Sequence, residues 1–177
     1  MSKWDSLTQM ALAIETPRLL LRRPEQTDAL VLRDLWRDER VQHFMGGILS
    51  QQEADARVAD ILQSWQDHKA GLWAVCEREN NRPIGLRGLG IFEAEIEIIY
   101  KFFPIYWGRG YATEAVNASL TYGFQMLQID RIIGVTQEAN YVSWHILEKV
   151  GMHHIHNLWK WDAPQRVYVL TRVEWLA

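Results

Sequence analysis

The segment Tyr106-Trp-Gly-Arg-Gly-Tyr-Ala-Thr-Glu-Ala115 joins a stretch that predicts a β-strand to a run of small residues that predicts a helix. The N-terminus of a helix leaves backbone N–H groups without intrahelical partners and carries partial positive charge, so it favours phosphate groups. Glycine allows a ligand to approach the backbone closely, and Arg109 can add a charged contact. The same Gly-x-Gly pattern also fits a tight turn before an ordinary helix, and the pattern alone leaves both interpretations open.

Two common phosphate-binding motifs are excluded. The dinucleotide fingerprint needs a third glycine where Thr113 stands, and the P-loop needs Gly-Lys followed by Ser or Thr, which occurs nowhere in the chain. Any phosphate site in this segment therefore belongs to another class.

A second polar feature follows a predicted strand at 131–136, where Asn140-Tyr-Val-Ser143 opens a short helix that ends before Gly151. Asn is a typical N-cap residue, and helix capping is the simpler interpretation of Asn140. In the alternative interpretation, Asn140 hydrogen-bonds an amide-bearing ligand and the Ser143 hydroxyl donates a proton.

The periodicity of the remaining chain predicts a mixed α/β fold of about seven strands and about four helices. Helical spacing covers 28–40, 50–70, 108–127 and 142–150. Alternation predicts strands at 18–23, 72–76, 83–92, 94–103, 131–136, 153–161 and 166–173, with a turn at 162–165. This order predicts one mixed sheet with helices packed on it. We predict a leader at 1–14 and a single domain at 15–177.

The composition excludes several classes of protein. The 177 residues carry 19 Lys and Arg against 22 Asp and Glu, a formal charge of −3, and a chain without a basic face is a poor candidate for binding nucleic acid. No apolar run approaches the roughly 18–20 residues of a transmembrane helix. Cys76 is the only cysteine, so no internal disulfide is possible. We expect a soluble, cytoplasmic protein without nucleic-acid or membrane partners.

Together, these segments resemble the GCN5-related N-acetyltransferase (GNAT) superfamily. The resemblance rests on residues 107–115, on Asn140-x-x-Ser143, and on Leu147-Glu-Lys-Val-Gly151. Residues 15–24 and Pro83-Ile-Gly85 are similar to the branch that contains the RimJ/RimL ribosomal-protein N-terminal acetyltransferases. The resemblance extends over residues 15–173, nearly the whole chain.

The resemblance implies the GNAT acyl-CoA N-acyltransferase fold and direct transfer of an acetyl group from acetyl-CoA to a primary amine in a ternary complex. The pyrophosphate would lie on the backbone of residues 107–112, and the pantetheine arm would pair with residues 100–103 in a cleft between two strands. A backbone N–H near Tyr100 would stabilise the thioester oxyanion. The implied cofactor-binding residues are Phe102, Phe103, Trp107, Gly108, Arg109, Gly110, Tyr111, Ala112, Thr113, Asn140 and Ser143.

Such a transfer needs a base for the amine and an acid for the leaving thiolate. The resemblance implies Ser143 as the acid. Glu97 shares a strand face with Glu95 and matches an acid often present in the family, so it is our first candidate for the base, although solvated strand carboxylates are an equally simple interpretation. His43 and Glu138 are weaker candidates.

No metal site is expected. His153, His154 and His156 form the one histidine cluster, but no carboxylate cluster lies beside them in the sequence.

The chain departs from the family pattern at three positions. Ile105 stands where many members have Gln or Arg, Leu147 stands where many have a tyrosine that acts as the general acid, and Ile99 stands where relatives often have Gly. The missing tyrosine shifts the role of acid to Ser143.

The branch implies a protein or peptide N-terminal α-amine as the acceptor. A small-molecule amine, such as an antibiotic, polyamine or amino acid, is the alternative. A non-catalytic acyl-CoA-binding domain is the alternative of another class. Tryptophans near the C-terminal strands also suggest a homodimer.

Overall fold

The computed structural model describes residues 11–67 and 71–177, so the leader prediction lies mostly outside the described residues. The strands are β1 (Ala13–Glu15), β2 (Leu19–Arg22), β3 (Trp73–Glu77), β4 (Pro83–Phe92), β5 (Glu95–Phe102), β6 (Arg131–Gln137), β7 (His153–Lys160) and β8 (Ala163–Thr171). The α-helices are α1 (Ala29–Asp34), α2 (Glu39–Gln42), α3 (Gln51–Asp67), α4 (Tyr111–Thr121), α5 (Tyr141–Lys149) and α6 (Arg172–Leu176). The eight strands form one sheet in the order β1-β2-β3-β4-β5-β6-β8-β7. The predicted mixed α/β fold is confirmed.

The sheet is divided in its middle, between β5 and β6. These two strands are parallel and pair at a single position, Glu97 opposite Ile133. By contrast, β5 pairs with β4 at eight positions, and β6 pairs with β8 at seven. Each half of the sheet is therefore held by its own antiparallel ladder, and the two halves diverge beyond Glu97.

Helices cover both faces of the sheet. On one face, Val116 and Leu120 of α4 and Leu147 of α5 pack with Ile96 and Ile98 of β5. On the other face, α1 and α3 pack around a separate cluster that includes Leu32, Leu35, Trp36, Val58 and Leu86. Because side chains alternate along a strand, Glu97, Ile99 and Lys101 lie on the face of β5 opposite Ile96 and Ile98.

The N-terminal half differs from the prediction at two places. The strand β1 was not predicted, because three residues are too few to show alternation. The helix predicted at 28–40 is two helices: α1 ends at Asp34, and Asp38 begins α2 by accepting hydrogen bonds from the backbone N–H groups of Arg40 and Val41. Asp38, a typical N-cap residue inside the apolar pattern, is the signal for a second helix that the prediction missed.

The ends of α4 also differ from the prediction of a helix at 108–127. Gly108 and Gly110 adopt positive φ, so the helix begins only at Tyr111. It continues beyond Thr121 as one π-helical turn, Tyr122–Met126.

The C-terminal hairpin differs from its prediction as well. The turn is formed by Trp161 and Asp162, both at positive φ, so β8 already begins at Ala163. The chain leaves β8 after Thr171, whose hydroxyl caps α6. Trp159 and Trp161 are 72% and 60% exposed, and the homodimer stays a prediction.

No helix in the described part of the chain is long and apolar enough to cross a membrane.

Candidate functional site

A cleft of about 320 Å³ opens where β5 and β6 diverge. It is lined by Glu97, Ile98, Ile99, Tyr100 and Lys101 of β5, Gly134, Val135, Thr136 and Gln137 of β6, Asn140, Ser143 and Leu147 at α5, Phe44, Met45 and Gly46 before α3, and Trp161 and Gln165 of the C-terminal hairpin. Two of the three segments that carry the predicted site residues, β5 and the start of α5, therefore meet here, and the third is the glycine turn before α4.

Backbone groups of β5 face the cleft at alternate residues. The Phe103 N–H donates to the Ile84 carbonyl on β4, and the antiparallel register then directs the N–H and C=O of Ile98, Tyr100 and Phe102 to the opposite side. The Phe102 carbonyl accepts a hydrogen bond from Trp107 Nε1 at 2.7 Å. The Tyr100 N–H therefore points into the cleft, whereas the Phe103 N–H is already bonded within the sheet.

The glycine turn leaves the start of α4 open. Gly108 and Gly110 have φ of +73° and +77°, a region that favours glycine. Gly110 is the N-cap and provides no side-chain acceptor for the first N–H groups of the helix. No atom of the residues that the structure describes lies within 4 Å of the place where a Cβ on Gly108 would stand. This arrangement suits a phosphate group, which needs both open space and unpaired donors.

A hydrogen-bonded cluster between the start of β2 and α4, which no local pattern in the sequence indicates, holds this turn. Arg18 Nε pairs with Glu114 Oε2 at 2.6 Å, and Arg18 Nη1 donates to the Arg109 carbonyl at 2.8 Å. Thr16 Oγ1 donates to Glu114 at 2.6 Å. Although partial burial of Glu114 acts in the opposite direction, the hydrogen bonds from Thr16 and Arg18 hold its pKa below the usual range. The cluster therefore fixes the backbone at Arg109.

Ser143 and Tyr100 form a hydroxyl pair across the cleft. The Tyr100 hydroxyl lies 2.8 Å from Ser143 Oγ and also donates to the Ser143 carbonyl at 3.1 Å. Burial raises the pKa of Tyr100 to about 12, so the phenol stays protonated at neutral pH. Tyr100 was predicted for its backbone N–H, and the structure adds its side chain to the site.

On α5, Leu147 occupies the position where many family members carry a tyrosine. Its side chain is buried, and a Cβ on Gly134 would lie only 2.8 Å from Leu147 Cδ1. The position is thus filled by an apolar contact between α5 and β6, and the phenolic hydroxyl comes from β5.

Asn140 serves as a helix cap, in agreement with the simpler interpretation. Its Oδ1 accepts a hydrogen bond from the Ser143 N–H at 3.2 Å. This contact fixes the start of α5 and with it the position of Ser143. Asn140 also lines the cleft.

Glu97 is the acid that the fold brings into the cleft. Burial raises its pKa to about 7, against a hydrogen bond from the Val135 N–H and the charge of Lys160. Glu95 lies beside Arg131, toward the closed end of the β5–β6 pair. A carboxyl group with a pKa near neutrality can exchange protons at physiological pH.

The two weaker candidates lie outside the cleft lining. His43 is exposed and packs edge-on against Phe44. Glu138 is exposed, and its carboxylate accepts a hydrogen bond from Asn157.

Within residues 11–67 and 71–177, no three His, Cys, Asp or Glu side chains are grouped as metal ligands would be. His154 instead hydrogen-bonds Asn157 Oδ1 at 2.6 Å.

The family model described as acetyltransferase (GNAT) domain matches residues 18–153. The chain therefore belongs to the GNAT acetyltransferase family, and it is an acyltransferase.

Similar proteins support the same assignment. The uncharacterised protein YkkB of Bacillus subtilis is 29% identical over 158 residues, which span 86% of this chain and 92% of that protein. The uncharacterised N-acetyltransferase p20 of Bacillus licheniformis is 31% identical over 143 residues, or 77% and 79% of the two chains. A GNAT-family acetyltransferase of Bacillus anthracis superposes with a TM-score of 0.80 at 25% identity, covering 92% of this chain and 99% of that one.

The burial of Glu97 predicts a pH-dependent stability. The folded protein binds the Glu97 proton up to pH about 7, whereas the unfolded chain releases it near its ordinary pKa of 4.5. The free energy of unfolding therefore falls as pH rises through this window, by about 2–3 kcal/mol for this group. Urea unfolding of wild type and Glu97→Gln at pH about 5 and about 8 measures the difference.

In Glu97→Gln, this decrease in the free energy of unfolding between pH about 5 and about 8 should disappear. In Glu95→Gln, which changes a carboxyl group on the same strand face, the decrease should remain. An identical pH dependence in wild type and Glu97→Gln would show that Glu97 titrates in its ordinary range.

Proposed function

We propose that this GNAT-family enzyme transfers the acetyl group of acetyl-CoA to a primary amine in the cleft between β5 and β6. The observation that carries the proposal is the divergence of β5 and β6 after Glu97, with the open glycine turn beside it. On the opposite faces of β5, this divergence exposes a carboxyl group and a hydroxyl pair.

Acetyl-CoA fits the chain at two places. The N–H groups at the start of α4 would hold the pyrophosphate, with Arg109 adding charge at the exposed turn. The cleft-facing backbone of Ile98 and Tyr100 would bind the pantetheine arm as an added strand, and the Tyr100 N–H would stabilise negative charge on the thioester oxygen.

Ser143 would protonate the departing thiolate. Its hydroxyl lies 2.8 Å from that of Tyr100, so the phenol can donate to Ser143 Oγ as Ser143 gives up its proton. The raised pKa of Tyr100 keeps that phenol protonated. The pair takes the place of the single tyrosine that the family often carries at the Leu147 position.

Glu97 would accept the proton of the attacking amine. Its pKa of about 7 is close to the ordinary range of an N-terminal α-amine, roughly 7.7–8.0, so proton transfer between the two groups is nearly balanced. The bonds and protons then balance: the bond between nitrogen and the acetyl carbon forms, and the bond between that carbon and sulfur breaks. The nitrogen loses two protons, of which the first passes through Glu97 to solvent. Sulfur gains a proton from Ser143, and the second nitrogen proton restores the hydroxyl pair of Ser143 and Tyr100.

The first acceptor class is a protein or peptide N-terminal α-amine, supported by the similarity of residues 15–24 to the RimJ/RimL branch. The second is a small-molecule amine, favoured by a cleft of about 320 Å³ that Phe44, Met45 and Trp161 border. A non-catalytic acyl-CoA-binding domain would have no use for a neutral-pKa carboxyl beside a hydroxyl pair.

Cofactor binding is tested by Gly108→Val. Valine disfavours the positive φ of Gly108 and fills the open space beside the turn, so calorimetry should show acetyl-CoA affinity reduced at least about tenfold. Gly151→Val is the matched control, since Gly151 also has positive φ, ends a helix and has open space around it.

Both variants should lose similar stability, but Gly151→Val should bind acetyl-CoA like wild type. Undiminished binding by Gly108→Val would place the pyrophosphate elsewhere, and absence of binding by wild type would overturn the proposed reaction.

The hydroxyl pair is tested by Ser143→Ala and Tyr100→Phe. Loss of an acid lowers kcat about 10²-fold, with little change in the affinity for acetyl-CoA. Because the two hydroxyls act as a unit, the double variant should lose hardly more than Ser143→Ala. Tyr141→Phe, an exposed tyrosine on the same helix, is the control. Additive losses would show that the two hydroxyls act separately.

The base is tested by the pH dependence of kcat/KM. With Glu97 as base, activity rises with pH as Glu97 loses its proton, with an inflection at pH about 7. Glu97→Gln should be about 10²-fold slower and retain only the inflection of the acceptor amine. A wild-type inflection that persists in Glu97→Gln would exclude Glu97 as the base.

A further inference from the structure

Lys101 is a cation of the cleft that the proposed mechanism does not use. It lies on the same face of β5 as Glu97, four residues further along the strand, and it lines the cleft. The Lys101 Nζ stands 4.8 Å from the centroid of the Trp36 ring. The ammonium group is therefore held against a buried aromatic wall and borders the space where an acceptor would lie.

Lys101 has no carboxylate partner among the described residues. Two other partly buried cations are paired, Arg22 with Asp28 at 2.7 Å and Lys160 with Glu93 at 2.7 Å. The fully buried Arg87, which stacks on Trp73, also lacks a hydrogen-bond partner among the described residues, but it lies outside the cleft lining. An ammonium removed from water without an opposite charge destabilises the empty protein. Burial and the charge of Arg57 accordingly lower the pKa of Lys101 to about 8.

The positive charge of Arg57 further destabilises the charged form of Lys101. It lies on α3, is exposed, and is close enough to repel the Lys101 ammonium. Within the described ranges, Arg57 has no carboxylate partner either. Two neighbouring cations without an intervening carboxylate attract an anion, and the pair becomes favourable when one binds.

The spacing of the charges suggests what this anion belongs to. Four strand residues separate the Cα atoms of Glu97 and Lys101 by about 13 Å, with Ile99 between them on the same face. One end of the cleft thus carries the carboxyl group of Glu97, which suits an amine, and the other end carries the ammonium of Lys101, with Arg57 nearby, which suits an anion.

We propose that Lys101 and Arg57 form an anion subsite, and that the acceptor is a primary amine bearing a carboxylate or phosphate at its far end. The amine end of this assignment rests on the proposed function, whereas the anion end rests on Lys101 and Arg57 alone. Such a site selects against polyamines, because their second ammonium group would lie beside Lys101. An amino acid with a long side-chain amine or a short peptide with a free carboxyl terminus has the required charges.

The test uses four amines of equal chain length: 6-aminohexanoate, 6-aminohexyl phosphate, 6-amino-1-hexanol and 1,6-diaminohexane. Calorimetric titration into the protein saturated with CoA measures binding without turnover. One or both anionic amines should bind about tenfold or more tightly than the alcohol, and the diamine should bind more weakly than the alcohol. The carboxylate and phosphate arms show which anion the subsite prefers.

Lys101→Met should abolish the advantage of the anionic amines, and Lys101→Arg should retain it. Arg57→Gln, at an exposed position whose loss leaves the core intact, should reduce the advantage. Lys149→Met, which removes an exposed lysine of α5, is the matched control and should behave like wild type. All variants should bind acetyl-CoA as wild type does.

Equal affinities for the four amines in wild type would overturn the subsite, as would an advantage that survives both Lys101→Met and Arg57→Gln. A loss of acetyl-CoA affinity in Lys101→Met would also overturn it, because Lys101 would then serve the cofactor. Acetyl transfer is measured separately. If the anionic amines bind selectively but no acetyl transfer occurs, the anion subsite is supported and the proposed function is overturned. If acetyl transfer occurs without selectivity for anionic amines, the proposed function is supported and the anion subsite is overturned.

Discussion

The cleft depends on one constraint: β5 and β6 pair only where Glu97 meets Ile133. Buried backbone groups need hydrogen-bond partners, so strands that diverge must find them elsewhere. The Phe102 carbonyl accepts a hydrogen bond from the indole N–H of Trp107, and the Val135 N–H donates one to the carboxylate of Glu97. The groups at Tyr100 are left facing open space. The divergence therefore creates the strand edge for a ligand and also fixes Glu97 inside the sheet.

The alternation of β5 then separates two kinds of chemistry. Tyr100 points toward α5, where it meets Ser143, whereas Glu97 and Lys101 point to the opposite face. A reaction in this cleft would give up its leaving group on one face of the strand and receive its amine on the other. The same geometry explains how Leu147 can be a core residue: the phenol needed near Ser143 arrives from β5, so α5 is free to pack on Gly134.

Local signals in the sequence predicted the parts of the site that depend on local backbone geometry. Gly108 and Gly110 need positive φ, and Asn140 caps the helix that it begins, so both features are visible within a few residues. The contacts missed are those between distant segments. The hydroxyls of Tyr100 and Ser143 are 43 positions apart, and Arg18 reaches Glu114 across 96. The C-terminal turn was predicted at 162–165 but is formed by Trp161 and Asp162, because positive φ is rare for a bulky residue such as Trp and its sequence gives no signal for it.

Glu97 and Lys101 show why the cleft is better suited to a bound ligand than to its empty state. Burial raises the pKa of Glu97 to about 7 and lowers that of Lys101 to about 8, so the protein disfavours the charged form of each. A ligand with an ammonium at one end and an anion at the other supplies the opposite charge to both groups at once. Its binding would favour the carboxylate of Glu97 and the ammonium of Lys101. The charge on the anion would thus anchor the far end of the acceptor while the near end delivers its proton to Glu97, which couples recognition to deprotonation of the amine.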